Sequence, residues 1–112
     1  MSFDKFKKEQ LDLRNGTRTD LAGSVIDWAL HTDTFTKTLT TNTTLTDANL
    51  PQGTDTKVIT IEISGAFTLT LPTYWKLKGG VYSATKSNQI VAQCINGNSG
   101  VQRVNYVINT DL

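Results

Sequence analysis

Apolar and polar positions alternate along most of this chain, and the polar member is very often threonine. Residues 35–46 set Phe35, Leu39 and Leu45 among threonines. Residues 58–63 place Ile59, Ile61 and Ile63 against Val58, Thr60 and Glu62, and residues 67–71 place Phe67, Leu69 and Leu71 against Thr68 and Thr70. A period of two is what a strand needs when one face is packed and the other is wet. Threonine suits such a strand because its branched Cβ fits the pleat and its hydroxyl fits water. The pattern predicts an all-β body with a surface built for assembly or display.

The elements follow from the punctuation. Residues 25–30 open the body, with Trp28 directed to the core or to a neighbouring subunit. A strand is expected over 34–40, where Phe35 and Leu39 share a face with Lys37 between them, and a shorter one near 43–46. Pro51 and Gly53 mark a loop over 48–56. The strands 58–63 and 67–71 are expected to pair as an antiparallel hairpin, with Ile63 opposite Phe67, Ile61 opposite Leu69 and residues 64–66 as the loop. Residues 73–80 read as a crossover ending in the bend Gly79-Gly80, followed by a short strand at Val81 and Tyr82. Residues 88–95 and 101–108 should form a closing hairpin around the turn residues 96–100. The pattern yields seven or eight strands, the number and spacing of a small β-sandwich or jelly-roll-like domain.

Residues 1–24 differ from the rest. Lys5, Lys7, Lys8, Arg14 and Arg18 stand among Asp4, Glu9, Asp12 and Asp20, with Phe3, Phe6, Leu11 and Leu13 as sparse apolar anchors. The segment reads either as an N-terminal arm that orders on a partner surface or as a loosely packed terminus. Helix over 3–10 would be marginal by itself. The β domain is then 25–112.

With 112 residues the chain builds one domain, and its formal net charge of +1 removes most self-repulsion. That balance argues against nucleic acid as a partner, which usually needs a basic patch. Cys94 is the only cysteine, so no internal disulfide forms, and its strand-like setting reads as a buried small apolar residue. The N-terminus has no apolar signal core, and no run is long enough to span a membrane, so neither Sec export nor a membrane span is expected.

The chemistry-bearing residues are sparse. One histidine, His31, and one cysteine cannot build a four-ligand zinc site, and no glycine motif cradles phosphate, so neither metal nor cofactor is expected. His31 reads as a solvent-facing loop residue. Glu62 lies on the face opposite Ile61 and reads as solvent-directed rather than as a glycosidase acid. Tyr74, Trp75, Lys76, Leu77 and Lys78 have the composition of a stacking platform, but also that of an aromatic cap on the core with lysines turned outward. No catalytic residue is expected.

Taken in order, Ile26-Asp27-Trp28, the threonine-rich 35–46, Leu50-Pro51, 59–63, 67–72, Trp75 and Gly79-Gly80 resemble a β-rich module of bacteriophage virion structural proteins, of the kind found in fibres, spikes and head or tail appendages. The resemblance covers about residues 25–108. It implies a non-enzymatic structural component of the particle, made in the host bacterial cytoplasm and carried in the virion. It also implies a homo-oligomer, a trimer by analogy with phage appendages, that docks on other virion proteins through the N-terminal arm. The alternative is a module that binds a host receptor or glycan. Phe3, Phe6, Tyr74, Trp75 and Tyr82 are the candidate contact residues.

Overall fold

The computed structural model describes residues 18–96 and 103–110. These form ten strands and no helix: β1 (Arg18–Asp20), β2 (Val25–Asp27), β3 (Thr34–Thr38), β4 (Thr43–Thr44), β5 (Thr46–Ala48), β6 (Lys57–Ser64), β7 (Leu69–Thr70), β8 (Trp75–Gly79), β9 (Asn88–Asn96) and β10 (Arg103–Asn109). The all-β class expected from the threonine alternation is what the chain adopts. The strand number exceeds the expected seven or eight because several strands are only two or three residues long.

A six-stranded sheet, in the order β1-β3-β6-β9-β10-β8, forms one side of the molecule, and the two-stranded sheets β2-β5 and β4-β7 complete the fold. The pairing is mixed. β1, β3 and β6 lie parallel, as do β2 with β5 and β4 with β7. Parallel neighbours require a crossover between them. Here the crossover from β3 to β6 contains β4 and β5, and the one from β1 to β3 contains β2. The chain therefore winds, laying β3 on β1, β5 on β2 and β7 on β4 as it advances. The antiparallel pairs β6/β9 and β9/β10 then end the winding, and β8 pairs parallel to β10 at the far edge.

The inward rows of the large sheet are continuous. Phe35 lies beside Ile61 and Ile61 beside Ile90; Cys94 lies beside Val104 and Val104 beside Trp75. Ile26, Trp28, Leu39 and Leu45 join the same buried cluster from the winding connections. In β6, Ile59, Ile61 and Ile63 are buried while Val58, Thr60 and Glu62 face outward, as the alternation required. Lysines at inward parity are accommodated by carbonyls. Lys37 Nζ donates to Leu21 O and Gly23 O, tying down the β1–β2 connection, and Lys57 Nζ donates to Trp28 O and Leu30 O, tying down the β2–β3 connection.

Four expectations need correction. The hairpin of 58–63 with 67–71 does not form: β6 is flanked by β3 and β9, and Leu69–Thr70 pairs in parallel with Thr43–Thr44. The apolar sets of the two segments do not sit side by side. Gly65 (φ 127°) carries the chain against Leu39, so close that an added Cβ would lie 2.8 Å from the Leu39 carbonyl oxygen and its Cβ. Phe67, expected opposite Ile63, is 41% exposed. Residues 75–79 are a strand, not a crossover, whereas Val81 and Tyr82 lie outside any strand. There Gly80 (φ 89°) passes so close to the Ile108 carbonyl that no side chain fits. Finally, β1 and the buried Leu21 belong to the body, which therefore begins no later than Arg18 and not at residue 25. The closing hairpin of β9 with β10 pairs as expected.

Candidate functional site

The centre of the polar chemistry is Asp47 on β5. Leu45 is buried and Thr46 exposed, so alternation turns Asp47 back toward the inside. There three side chains donate to its carboxylate. Trp28 Nε1 donates to Oδ1 at 2.8 Å, Trp75 Nε1 donates to Oδ2 at 2.8 Å, and the Tyr74 hydroxyl donates to Oδ2 as well. The donors come from two distant parts of the winding: Trp28, just after β2, and the consecutive Tyr74 and Trp75 at the start of β8. The indole rings of Trp28 and Trp75 meet edge to face at 6.2 Å, and Tyr106 of β10 lies 5.6 Å from Trp75. Such ring pairs add about 0.5–1.5 kcal/mol beyond their buried area. Hydrogen bonds to a charged acceptor contribute about 1.5–3 kcal/mol each. Burial, then the hydrogen bond to Asp47 and its negative charge, push the Tyr74 hydroxyl well above the ordinary phenol range.

The candidate contact residues divide accordingly. Trp75 is 5% exposed and its side-chain N–H is committed to Asp47, so it is a core residue and not an exposed contact. Its indole fills the space between Trp28 and Tyr106, and burial of that large ring decides its place. Tyr74 is half-buried, with one side open to solvent. Tyr82 is also half-buried, and its hydroxyl donates to Gly65 O at 2.8 Å, so it holds the bend after β6 instead of presenting a free hydroxyl; burial pushes that hydroxyl up. Phe3 and Phe6 lie outside the described residues. Lys76, Leu77 and Lys78 are exposed on β8, the arrangement of an aromatic cap with lysines turned outward. His31 is exposed, Cys94 is buried, and Glu62 pairs with Arg18 at 3.1 Å.

Beside Tyr74 the surface is concave. A hollow of about 310 Å³ runs over Thr44, Leu45, Thr46 and Asp47 on one side and over residues 70–74 on the other. Its floor is mainly apolar, from Leu71, Pro72 and the Tyr74 ring. Thr44 and Thr70 are neighbours across the β4–β7 ladder, and both are exposed. A second hollow of about 260 Å³ lies on the outer face of the large sheet, among Val58, Val91, Val107 and Lys78.

Asp47 was missed in the sequence because no motif surrounds it. The signal was present in another form: Asp47 is an acidic residue at the parity of the buried Leu45, where an unpaired charge would be costly and partners are therefore required.

No protein family, curated protein or solved structure matches the chain. Among the described residues, no helix is long and apolar enough to cross a membrane.

Proposed function

We propose that this chain is a non-enzymatic structural component of a bacteriophage particle, a fibre, spike or decoration protein that self-associates and docks through the residues preceding β1. One observation carries the reading: the chain winds into stacked parallel passes whose small sheets have only two strands each, so every strand of β2-β5 and β4-β7 keeps an open edge among the described residues. Stacked windings of this type bury a continuous core only when their ends are covered. Open edges invite pairing with further chain, and natural proteins cover or charge them when pairing is unwanted. The outer face of the large sheet carries Thr34, Thr36, Thr60, Gln89, Gln93 and Asn105 beside the charged Arg18, Asp20, Glu62, Lys76 and Lys78, whose signs nearly balance. Such a face carries little net charge to oppose association. The threonine-rich segments that form these passes are among the residues on which the resemblance to phage appendage modules rests.

Two truncations in purified particles test the proposal. Removing residues 1–17 should leave the β body folded and abolish its incorporation, whereas removing residues 1–20 should also strip β1 from β3 and lower stability. A fixed copy number of the intact chain per particle is expected. Normal incorporation of the shorter truncation would refute docking through those residues, and absence of the intact chain from particles would refute the structural role.

A second reading, a module that binds a host receptor or glycan, is favoured by the hollow beside Tyr74, whose hydroxyl is fixed while it lines the concave surface.

A further inference from the structure

The geometry points to the hollow beside Tyr74 as a subsite for one pyranose ring of a neutral sugar. The assignment rests on the glycan-binding reading and gives it a location and a ligand class. Three features of the site coincide there. The first is a rigid apolar floor. The Tyr74 ring cannot swing, because its hydroxyl is held by Asp47, and Leu71 and Pro72 continue the surface. A fixed aromatic face with aliphatic neighbours suits the C–H face of a pyranose, and it gives contact area at low entropic cost.

The second feature is a rim of unused hydroxyls. Thr44, Thr46, Thr70 and Thr73 are exposed, line the hollow, and make no side-chain hydrogen bond to any other described residue. Each hydroxyl both donates and accepts, as do the hydroxyls of a sugar. Other threonines, such as Thr36 and Thr60 on the large sheet, also leave their hydroxyls to solvent; what sets this hollow apart is that four such hydroxyls surround an apolar floor. Thr44 and Thr70 are laterally paired, and Thr46 follows Thr44 by one strand period.

The third feature is charge. Asp47 is the only ionisable carboxylate or amine among the lining residues, so the hollow is negative and holds no cation for a phosphate, sulfate or sugar acid. An aliphatic ligand would leave the hydroxyl rim unused. A neutral polyol with one apolar face satisfies floor, rim and charge together, the usual composition of a small-molecule site.

The test is a titration of the full ¹⁵N-labelled chain with methyl glycosides of glucose, galactose and mannose, and with glucuronate as the anionic comparison. At least one neutral glycoside should shift the amides of residues 44–47 and 70–74, together with the indole N–H signals of Trp28 and Trp75, which reach the hollow through Asp47. Loss of one hydroxyl by Thr70→Val should weaken that binding about five-fold, the effect of one ordinary hydrogen bond, with an unchanged melting temperature. Glucuronate should produce no shift at these positions. Neutral-glycoside shifts confined to other residues, or binding indifferent to Thr70→Val, would overturn the site and leave the glycan-binding reading standing. No response to any neutral glycoside at about 50 mM, a concentration that would reveal even very weak binding, would overturn both.

Discussion

Asp47 shows how one residue can decide a fold's interior. Its carboxylate joins Trp28 to the adjacent Tyr74 and Trp75, far away in sequence, and removing it would leave two indole N–H groups and a phenol without their acceptor. Leaving a buried donor unsatisfied costs about 1–3 kcal/mol. Asp47→Ala should therefore lower stability by about 3–5 kcal/mol, a large share of the 5–15 typical of a small domain, and Asp47→Asn by less, because one amide oxygen still accepts. Urea denaturation of the two variants checks the order; equal stability of Asp47→Ala and the parent would remove the keystone role. The same cluster sets an alkaline limit. Tyr74 is held above its ordinary value, so the stability it contributes as a neutral phenol is complete below the unfolded tyrosine value of about 10 and is lost as pH rises beyond it. Tyr82 shifts in the same direction. Stability measured from pH 8 to 11.5 should fall steeply above about pH 10 in the parent and less steeply in Tyr74→Phe. Parallel curves would show that Tyr74 does not carry the effect.

Among the elements, β6 is the organising strand: it touches β3 on one side and β9 on the other, and every second residue is fully buried. Ile61 sits between Phe35 and Ile90, so Ile61→Asp would bury an unpaired carboxylate and should prevent folding, at a cost of several kcal/mol, about what the domain has to lose. Glu62→Gln, one residue along, breaks only the partly exposed pair with Arg18 and should cost less than about 1 kcal/mol. Thermal melts of the two variants separate the faces, and similar melting temperatures would mean the strand is turned over. The contrast was visible in the alternation of 58–63, since parity alone separates Ile61 from Glu62. The partner strands were not visible. Any of several threonine-alternating segments presents an apolar row that could lie beside Ile61, and the nearest in sequence, 67–71, turned out to stack on Thr43–Thr44 instead.

At the scale of the whole molecule, the winding leaves β1 and β8 as outer edges of the large sheet and open edges on both small sheets among the described residues. β8 carries the exposed Lys76 and Lys78 and β1 the exposed Arg18 and Asp20, charges that discourage strand addition at both, so assembly is expected at the uncharged β4-β7 sheet. Closed cyclic symmetry is the common way to cover such edges. We expect a homotrimer, the choice of three resting on the resemblance to phage appendages. Light scattering at tens of micromolar protein provides the measurement: a trimer mass is expected, a monomer mass would remove self-association, and a pentamer would keep assembly while refuting the trimer.

Period-two alternation determined the class and the inward and outward faces of single strands, β6 above all. Phe35, Ile59, Ile61, Ile63 and Cys94 are inside and Val58 outside because a strand offers only two faces and the hydrophobic effect chooses between them. The closing hairpin was equally legible, since its strands are adjacent in sequence and joined by turn residues. Strand order was decided only in three dimensions. Parallel ladders join segments separated by long crossovers, and alternation carries no label saying which row meets which. For the same reason the site could not be read directly. Tyr74 and Trp75 were recognisable as aromatic candidates, but the winding alone brings Asp47 beneath them, buries one ring, and leaves the other beside a row of free threonine hydroxyls.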